Sequence, residues 1–283
     1  STLMDIKTSI LKMLRDSDGY ISGQSLCETL GVSRTAVWKY VNQLKEEGYE
    51  FDAVSNKGYR IVKYPDIVTK EEIESQLQDG LTVKNVVFYD ETDSTNTRAK
   101  LAAEAGEESG TLFVTECQTG GKGRRGRSWI SPAGSGIWMS LLLRPDIKPY
   151  DASMLTIVVA MATAMAIAEV VKKDTDSDAE CMIKWPNDIV LGNRKICGIL
   201  TEMSAELERI NYVVVGIGIN VNTTDFDESI KDTASSIYVQ TDDHVMRSDI
   251  IAAFARHFTG YYKELMNYEY INYPLYCRIH FKD

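Results

Sequence analysis

The chain has 283 residues, a net charge of −10, 44% hydrophobic and 25% charged content. That length exceeds what one domain usually needs, so two domains are expected, and the acidity argues against non-specific nucleic-acid binding by the chain as a whole. The 5 cysteines are scattered with no C-x-x-C pair and the 3 histidines all lie late in the chain, which argues against a disulfide framework, a zinc ribbon, a His-based metal site or a catalytic triad.

Leu3, Ile6, Ile10, Leu11 and Leu14 recur at helical spacing, so residues 2–15 read as an amphipathic helix. Ser22 caps a second helix carrying Leu26 and Leu30. Gly31 turns the chain, and Ser33 caps a third helix with Val37, Val41 and Leu44. Two short helices around a glycine turn form a helix-turn-helix. Its second helix offers Ser33, Arg34, Thr35, Trp38, Lys39 and Tyr40 to base edges and phosphates. Tyr49, Phe51 and Val54 then alternate, Asn56-Lys57-Gly58 turns, and residues 59–62 return as a strand, which makes a winged helix with Lys57 at the wing tip. Ser22 joins these residues as a DNA-contact candidate. The domain boundary is expected near Tyr64. Residues 1–65 hold nine Lys and Arg against eight Asp and Glu, so the acidity lies in the remainder.

Thr69 caps a helix over residues 70–78. A strand over 83–89 runs into Ser94-Thr95-Asn96, which either caps the next helix or hydrogen-bonds a polar ligand. A strand over 112–116 feeds the most polarised stretch of the chain, residues 118–129, with glycines at Gly120, Gly121, Gly123 and Gly126 and cations at Lys122, Arg124, Arg125 and Arg127. Such a loop can close its backbone around a ligand and hold anionic oxygens. It is not a Walker A motif or a dinucleotide fingerprint. The pattern suits a carboxylate attacking a nucleotide α-phosphate, where two anions must be brought together by fixed cations. Lys184 is a candidate to hold the reacting carboxyl, and Trp129 an aromatic face for the adenine side.

A strand over 137–143 follows, then a long apolar helix over 151–171 that reads as core. No uninterrupted run of eighteen apolar residues occurs and the N-terminus has no secretory pattern, so a membrane span is not expected and a cytoplasmic location is. Strands over 181–184 and 189–191, a Gly192-Asn193 turn, strands over 195–203 and 212–222, and a helix over 250–266 complete the pattern. Gly216 and Gly218 alternate along one strand and mark close approach of a ligand or another backbone. The fold class expected is α+β, a mixed sheet with helices on one side.

The stretch Gly121 to Trp129 resembles the biotin-loop signature of the biotin protein ligase family. Lys184-Trp185-Pro186-Asn187-Asp188 together with Lys195-Ile196-Cys197-Gly198-Ile199-Leu200 resembles its second signature. Ser94-Thr95-Asn96 and residues 216–222 match as well. With the winged helix in front, the whole resembles the family's bifunctional ligase and repressor form over residues 1 to about 265. The resemblance implies a class II synthetase-like catalytic domain over 65–270, after a DNA-binding domain over 1–64. It also implies a small C-terminal SH3-like barrel, of which residues 271–283 would be a remnant, the barrel itself being missing or truncated. It implies that biotin and MgATP give biotinyl-5′-AMP, and that a lysine of a biotin carboxyl carrier protein of acetyl-CoA carboxylase is then modified. Ser94, Thr95, Asn96, Gln118, Gly121, Lys122, Gly123, Arg124, Lys184 and Gly198 would bind biotin, with Lys184 and Arg124 at the reacting carboxyl. Arg124, Arg127, Trp129, Asn187 and Asn220 would line the adenylate side, and residues 223–235 would order over the adenine. No protein-held metal site is implied. The repressor form would be an adenylate-bound homodimer on a palindromic operator. Two alternatives stand beside it, a biotin sensor with weak ligase turnover and a lipoate or octanoate ligase. Lys122 stands where the family usually has Arg, a point charge in place of a fork.

Overall fold

The computed structural model describes residues 4–267 and the pair Phe281–Lys282. Residues 1–3, of which 2 and 3 open the first expected helix, and nearly all of the expected barrel remnant lie outside the described residues. The chain divides into two compact units, Ser1–Gln76 and Leu77–Asp283.

In the first unit, α1 (Ile6–Asp16), α2 (Gly23–Leu30) and α3 (Arg34–Glu46) precede a hairpin of β1 (Glu50–Val54) and β2 (Gly58–Lys63). Each helix begins at a side-chain cap. Asp5 accepts from the Thr8 amide, Ser22 from Ser25 and Ser33 from Ala36, satisfying amides that the first helical turn leaves unpaired. Gly31, at φ 67°, closes α2 in the left-handed region. Ile10, Leu11, Leu14, Leu26, Val37, Val41, Leu44, Tyr49 and Ile61 form the core.

This unit extends past the boundary expected at Tyr64. The short helix α4 (Lys70–Glu74) buries Glu72 completely. Glu72 pairs with Arg15 and accepts a 2.8 Å hydrogen bond from the Tyr49 hydroxyl. Arg15 also donates to the Ser75 hydroxyl at 3.2 Å and stacks on the Tyr64 ring. A buried carboxylate with these partners is strongly coupled to them, so residues 65–76 fold with the winged helix.

The second unit is built on a mixed sheet. Its strands are β3 (Asn85–Thr92), β4 (Thr111–Gln118), β5 (Gly136–Leu143), β6 (Cys181–Lys184), β7 (Asp188–Leu191), β8 (Arg194–Ala205), β9 (Ile210–Asn220) and the pair β10 (Phe281–Lys282). Their order is β10-β6-β7-β8-β9-β5-β4-β3, parallel at β3/β4 and β10/β6 and antiparallel elsewhere. The helices are α5 (Thr95–Glu104), α6 (Ala152–Asp174), α7 (Ile237–Thr241) and α8 (Arg247–Met266).

Register shows that both faces are covered. Glu202 lies opposite Val214, and Thr201 opposite Val215. Side chains alternate along strands, so these two pairs point to opposite faces. Glu202 bonds Asn96 and Lys100 on α5, whereas Thr201 bonds Thr156 on α6. The helices are therefore split between the faces, contrary to the one-sided arrangement expected. β5 is buried along its whole length for this reason. The span Pro149–Asp174 is long and apolar enough to cross a membrane by length and composition, which run lengths alone did not anticipate. Its helix α6 packs on α8 and on β6, β7 and β8, and that burial accounts for an apolar surface all round.

Candidate functional site

On the α5 face the register aligns two rows. One runs Phe113, Ser140, Gly216, Leu200; the other runs Thr115, Trp138, Gly218, Gly198. The glycines leave the middle of this face without side chains. α5 covers the neighbouring end, where Ala99, Ala103, Phe113, Leu142, Tyr212 and Val214 cluster. What remains is a cavity of about 530 Å³, within the span of roughly 300–1,000 Å³ usual for small-molecule sites.

One end is polar and uncharged. Ser94 caps α5, as local sequence suggested, while Thr95 and Asn96 line the cavity. The Thr95 hydroxyl lies 2.7 Å from Ser140 Oγ, and Ser140 donates to Asn96 Oδ1 at 2.5 Å. Gln118 Oε1 accepts from the Thr95 amide at 2.9 Å, and Gln118 Nε2 donates to Ser131 Oγ at 2.8 Å. Gly121 is buried against this group. A Cβ there would stand 2.9 Å from Gln118 Nε2 and 2.8 Å from Ser131 Oγ.

The glycine-rich loop folds back on itself above this end. Gly123 N donates to Arg127 O at 2.7 Å, and Trp129 N to Gly121 O at 2.8 Å. Residues Arg124–Gly126 form a single tight turn with Arg125 at φ 58°. Lys122 donates to Thr97 Oγ1 at 3.2 Å. Lys122, Arg124, Arg125 and Arg127 all line the cavity. Among the described residues, the three arginine side chains have no carboxylate or hydrogen-bond partner, so their donors are free for anionic oxygens.

Trp129 forms the floor under the loop. Its indole lies on the backbone of β8 and β9, where a Cβ at Gly198 or Gly218 would come within 2.8 Å of the ring. Trp129 Nε1 is buried with no partner. Lys195 stands 5.4 Å from the ring centre and pairs with Asp188 at 3.0 Å. The segment after Asn220 forms the far wall through Thr223, Asp225, Phe226, Ile230 and Thr233. It is pinned where Asn220 Nδ2 donates to Ser235 O at 3.2 Å and where Lys195 N donates to Thr233 O at 3.1 Å.

Of the residues picked from sequence, Ser94, Thr95, Asn96, Gln118, Lys122, Gly123, Arg124, Arg127, Trp129, Gly198 and Asn220 line this one cavity. Gly121, buried beneath the loop, Lys184 and Asn187 do not. Lys184 is the exposed last residue of β6, paired across the strand with Asp188, which does line the cavity. Asn187 spends its amide on Ile199 O at 3.2 Å, tying the β6–β7 turn to β8. Sequence reasoning missed Ser140, Ser131 and Glu202, and gave no individual role to Asp188 or Phe226, which lie in the stretches 184–188 and 223–235 that it did single out. Single polar residues in strands carry no local signal; only the register reveals Ser140 and Glu202.

In the first unit, Arg34, Thr35, Trp38 and Lys39 are exposed on α3, with Trp38 61% exposed. Ser22 and Ser33 act as helix caps, and Tyr40 packs against the core. Lys57, at the exposed wing turn, lies 5.7 Å from the Tyr20 ring centre.

Residues 88–220 match the biotin/lipoate A/B protein ligase family, and residues 7–60 an HTH domain. The bifunctional ligase/repressor BirA of Bacillus subtilis (strain 168) is 40% identical over 251 residues, 88% of this chain and 75% of that protein. The protein of the same name from Escherichia coli (strain K12) is 35% identical over 210 residues, 74% of this chain and 62% of that one. The biotin protein ligase from Aquifex aeolicus in complex with biotin and ATP superposes with a TM-score of 0.54 at 30% identity, covering 65% of this chain and 72% of that chain. A glycine-rich cationic loop over a polar pocket, a helix-turn-helix ahead of it, and relatives matched over most of their length agree: the chain belongs to the biotin protein ligase family, as a ligase that carries a helix-turn-helix repressor domain.

Proposed function

We propose that the cavity binds biotin at its polar end and ATP at its cationic end, and that the chain makes biotinyl-5′-AMP and transfers the biotinyl group to a carrier-protein lysine. One observation carries this reading. A single cavity joins the uncharged Thr95–Asn96–Gln118 end to a loop of unpartnered arginines. In the first step a biotin carboxylate oxygen attacks the α-phosphorus and pyrophosphate leaves. Both reactants are anions, so the loop cations serve to hold them in line and to take up charge that builds on the phosphoryl oxygens. Arg124 and Lys122 serve the reacting carboxyl; Arg127 and Trp129 serve the nucleotide. Lys184 approaches the acyl oxygen from the Asp188 edge. In the second step the neutral amine of the carrier lysine attacks the acyl carbon, AMP leaves, and the amine proton passes to solvent.

Mg²⁺ fits this site as an ion brought on the phosphates of ATP. No group of three or more metal-ligating side chains exists among the described residues, and Asp225 and Asp227 are the cavity carboxylates outside the Lys195–Asp188 pair. Magnesium commonly takes one or two carboxylates together with phosphate oxygens. A lipoate or octanoate ligase reading suits the cavity less well, because its closed end is lined by amide and hydroxyl groups.

The acceptor is a biotin carboxyl carrier protein of an acetyl-CoA carboxylase, and the DNA partner a palindromic operator bound by an adenylate-loaded homodimer in the cytoplasm. Coupling then arises because adenylate binds the dimer-competent state better. The test is incubation with labelled biotin, MgATP and a carrier domain, with sedimentation in parallel. Pyrophosphate release, label on the carrier and an adenylate-dependent dimer are expected. No pyrophosphate and no label would overturn the ligase reading.

A further inference from the structure

The hydrogen bonds beneath the polar end form one directed chain. Glu202 on β8 is flanked by Lys100, whose Nζ donates to Oε2 at 2.6 Å, and by Asn96, whose Nδ2 donates to Oε1 at 3.0 Å. Asn96 Nδ2 also donates to Leu200 O at 3.4 Å. An ionised carboxylate only accepts, and a side-chain amide has two N–H donors on one atom. Both donors of Asn96 are thus spent toward β8, and Oδ1 must face Ser140. The single Ser140 proton goes to that oxygen, so the proton in the 2.7 Å contact with Thr95 comes from Thr95. The Thr95 hydroxyl has one proton, and the 2.7 Å contact with Ser140 claims it over Gln118 Oε1 at 3.2 Å, an oxygen already held by the Thr95 amide at 2.9 Å. Thr95, Asn96 and Ser140 are each at least 96% buried. Burial raises the Glu202 carboxyl, but bonds from Lys100 and Asn96 and the charges of Lys100 and Lys122 outweigh it, leaving it below the usual glutamate range.

We infer that Glu202 is a specificity-determining positioning residue: with Lys100 it locks the Asn96 amide, so that the closed end of the cavity presents lone pairs on Asn96 Oδ1 and Thr95 Oγ1 and selects ligands that donate N–H. The inference rests on the reading of the cavity as the biotin site. A cyclic urea supplies such donors; a saturated acyl chain or a dithiolane ring supplies none. A site built to bond a donor rejects analogues lacking it, because its own polar groups are left unpaired.

Glu202→Gln tests this with almost no change of shape. A glutamine beside Lys100 turns its oxygen to the ammonium and its NH2 to Asn96. Asn96 must then flip, presenting Nδ2 to Ser140 and reversing the protons along the chain. The biotin KM is expected to rise about tenfold or more while kcat at saturating biotin stays within about threefold. In Glu202→Gln/Lys100→Met the cation is gone, the glutamine oxygen can return to Asn96, and most of the biotin KM should be recovered. Octanoate, used as a competitor, should inhibit Glu202→Gln relatively better than it inhibits the wild type. A purely structural loss would lower the thermal midpoint and the active fraction, hence kcat, without a KM shift that a second substitution reverses. A wild-type chain that binds no biotin overturns the cavity assignment and this inference together. With wild-type binding intact, an unchanged KM in Glu202→Gln, or a double variant no better than the single one, overturns this inference alone.

Discussion

At Gly218 the missing side chain is what lets the Trp129 indole lie on the sheet. A Cβ there would stand 2.8 Å from Nε1 and 3.0 Å from Cε2. The ring cannot simply slide away, because Trp129 N is tied to Gly121 O and Ser131 Oγ donates to Trp129 O. Gly218→Ala is therefore expected to cost about 1–3 kcal/mol by overpacking and to lift the floor of the cavity. Urea denaturation and biotin titration check this; full stability with full affinity would show that the indole has room to move. The lysines divide differently. Lys195 is held by Asp188 in the cavity wall, and Lys184 stands exposed one strand over. If Lys184 serves the acyl oxygen, Lys184→Met should lower the rate of adenylate formation by about tenfold or more with little change in stability. Single-turnover pyrophosphate release measures it. Loss in Lys195→Met alone would move that role to Lys195.

At the scale of elements, the cationic loop depends on how its two ends are held. The β4–β5 ladder runs from Thr111↔Leu142 to Thr115↔Trp138, and beyond it the strands part to release the loop. Arg247, at the start of α8 and 1% exposed, bridges that opening. Its Nη1 donates to Glu116 Oε1 at 2.7 Å and to Gly136 O at 3.1 Å, one group on each strand. Arg247→Met should cost about 1–3 kcal/mol, since the Gly136 carbonyl and the partly exposed Glu116 carboxylate lose a donor; a denaturation midpoint close to wild type would contradict it. The strands, their order along the chain and the loop itself were legible in the sequence, because alternation, turn residues and glycine density are local signals. The capping roles of Ser22, Ser33 and Ser94 were legible for the same reason. Which face each helix covers was not, because it depends on register between strands far apart in sequence. Glu202 and Ser140 share a site only through β8, β9 and β5, and neither stands out alone. Asn187 shows the opposite case: it was singled out as part of a motif, but its amide turns to Ile199 O, and adjacency in a motif does not decide which way a turn points its side chain.

At the scale of the whole molecule, charge constrains how the first unit can work. With the boundary at Gln76 it holds ten Lys and Arg against twelve Asp and Glu, and the second unit is more acidic still. A DNA-binding domain usually draws much of its affinity from phosphate neutralisation. Here that term must come from a few placed cations and not from net charge. Arg34, Lys39, Lys57 and Arg60 are exposed on α3 and the wing hairpin, and Thr35, Trp38 and Lys39 share one face of α3 at spacings of three and four residues. Each cation should then count heavily. Lys39→Ala is expected to weaken operator binding and to reduce the slope of log affinity against log salt by about 0.9, the value for one lost phosphate contact on duplex DNA. Trp38→Ala should weaken binding with the slope unchanged, because an indole carries no charge. Both variants should ligate biotin to the carrier at the wild-type rate, since both residues lie in the first unit and the cavity in the second. Fluorescence anisotropy over a salt series, with a carrier-labelling assay on the same preparations, separates the outcomes. An unchanged slope in Lys39→Ala would remove that lysine from the phosphate contacts, and a parallel loss of ligation would show that the two units do not act independently.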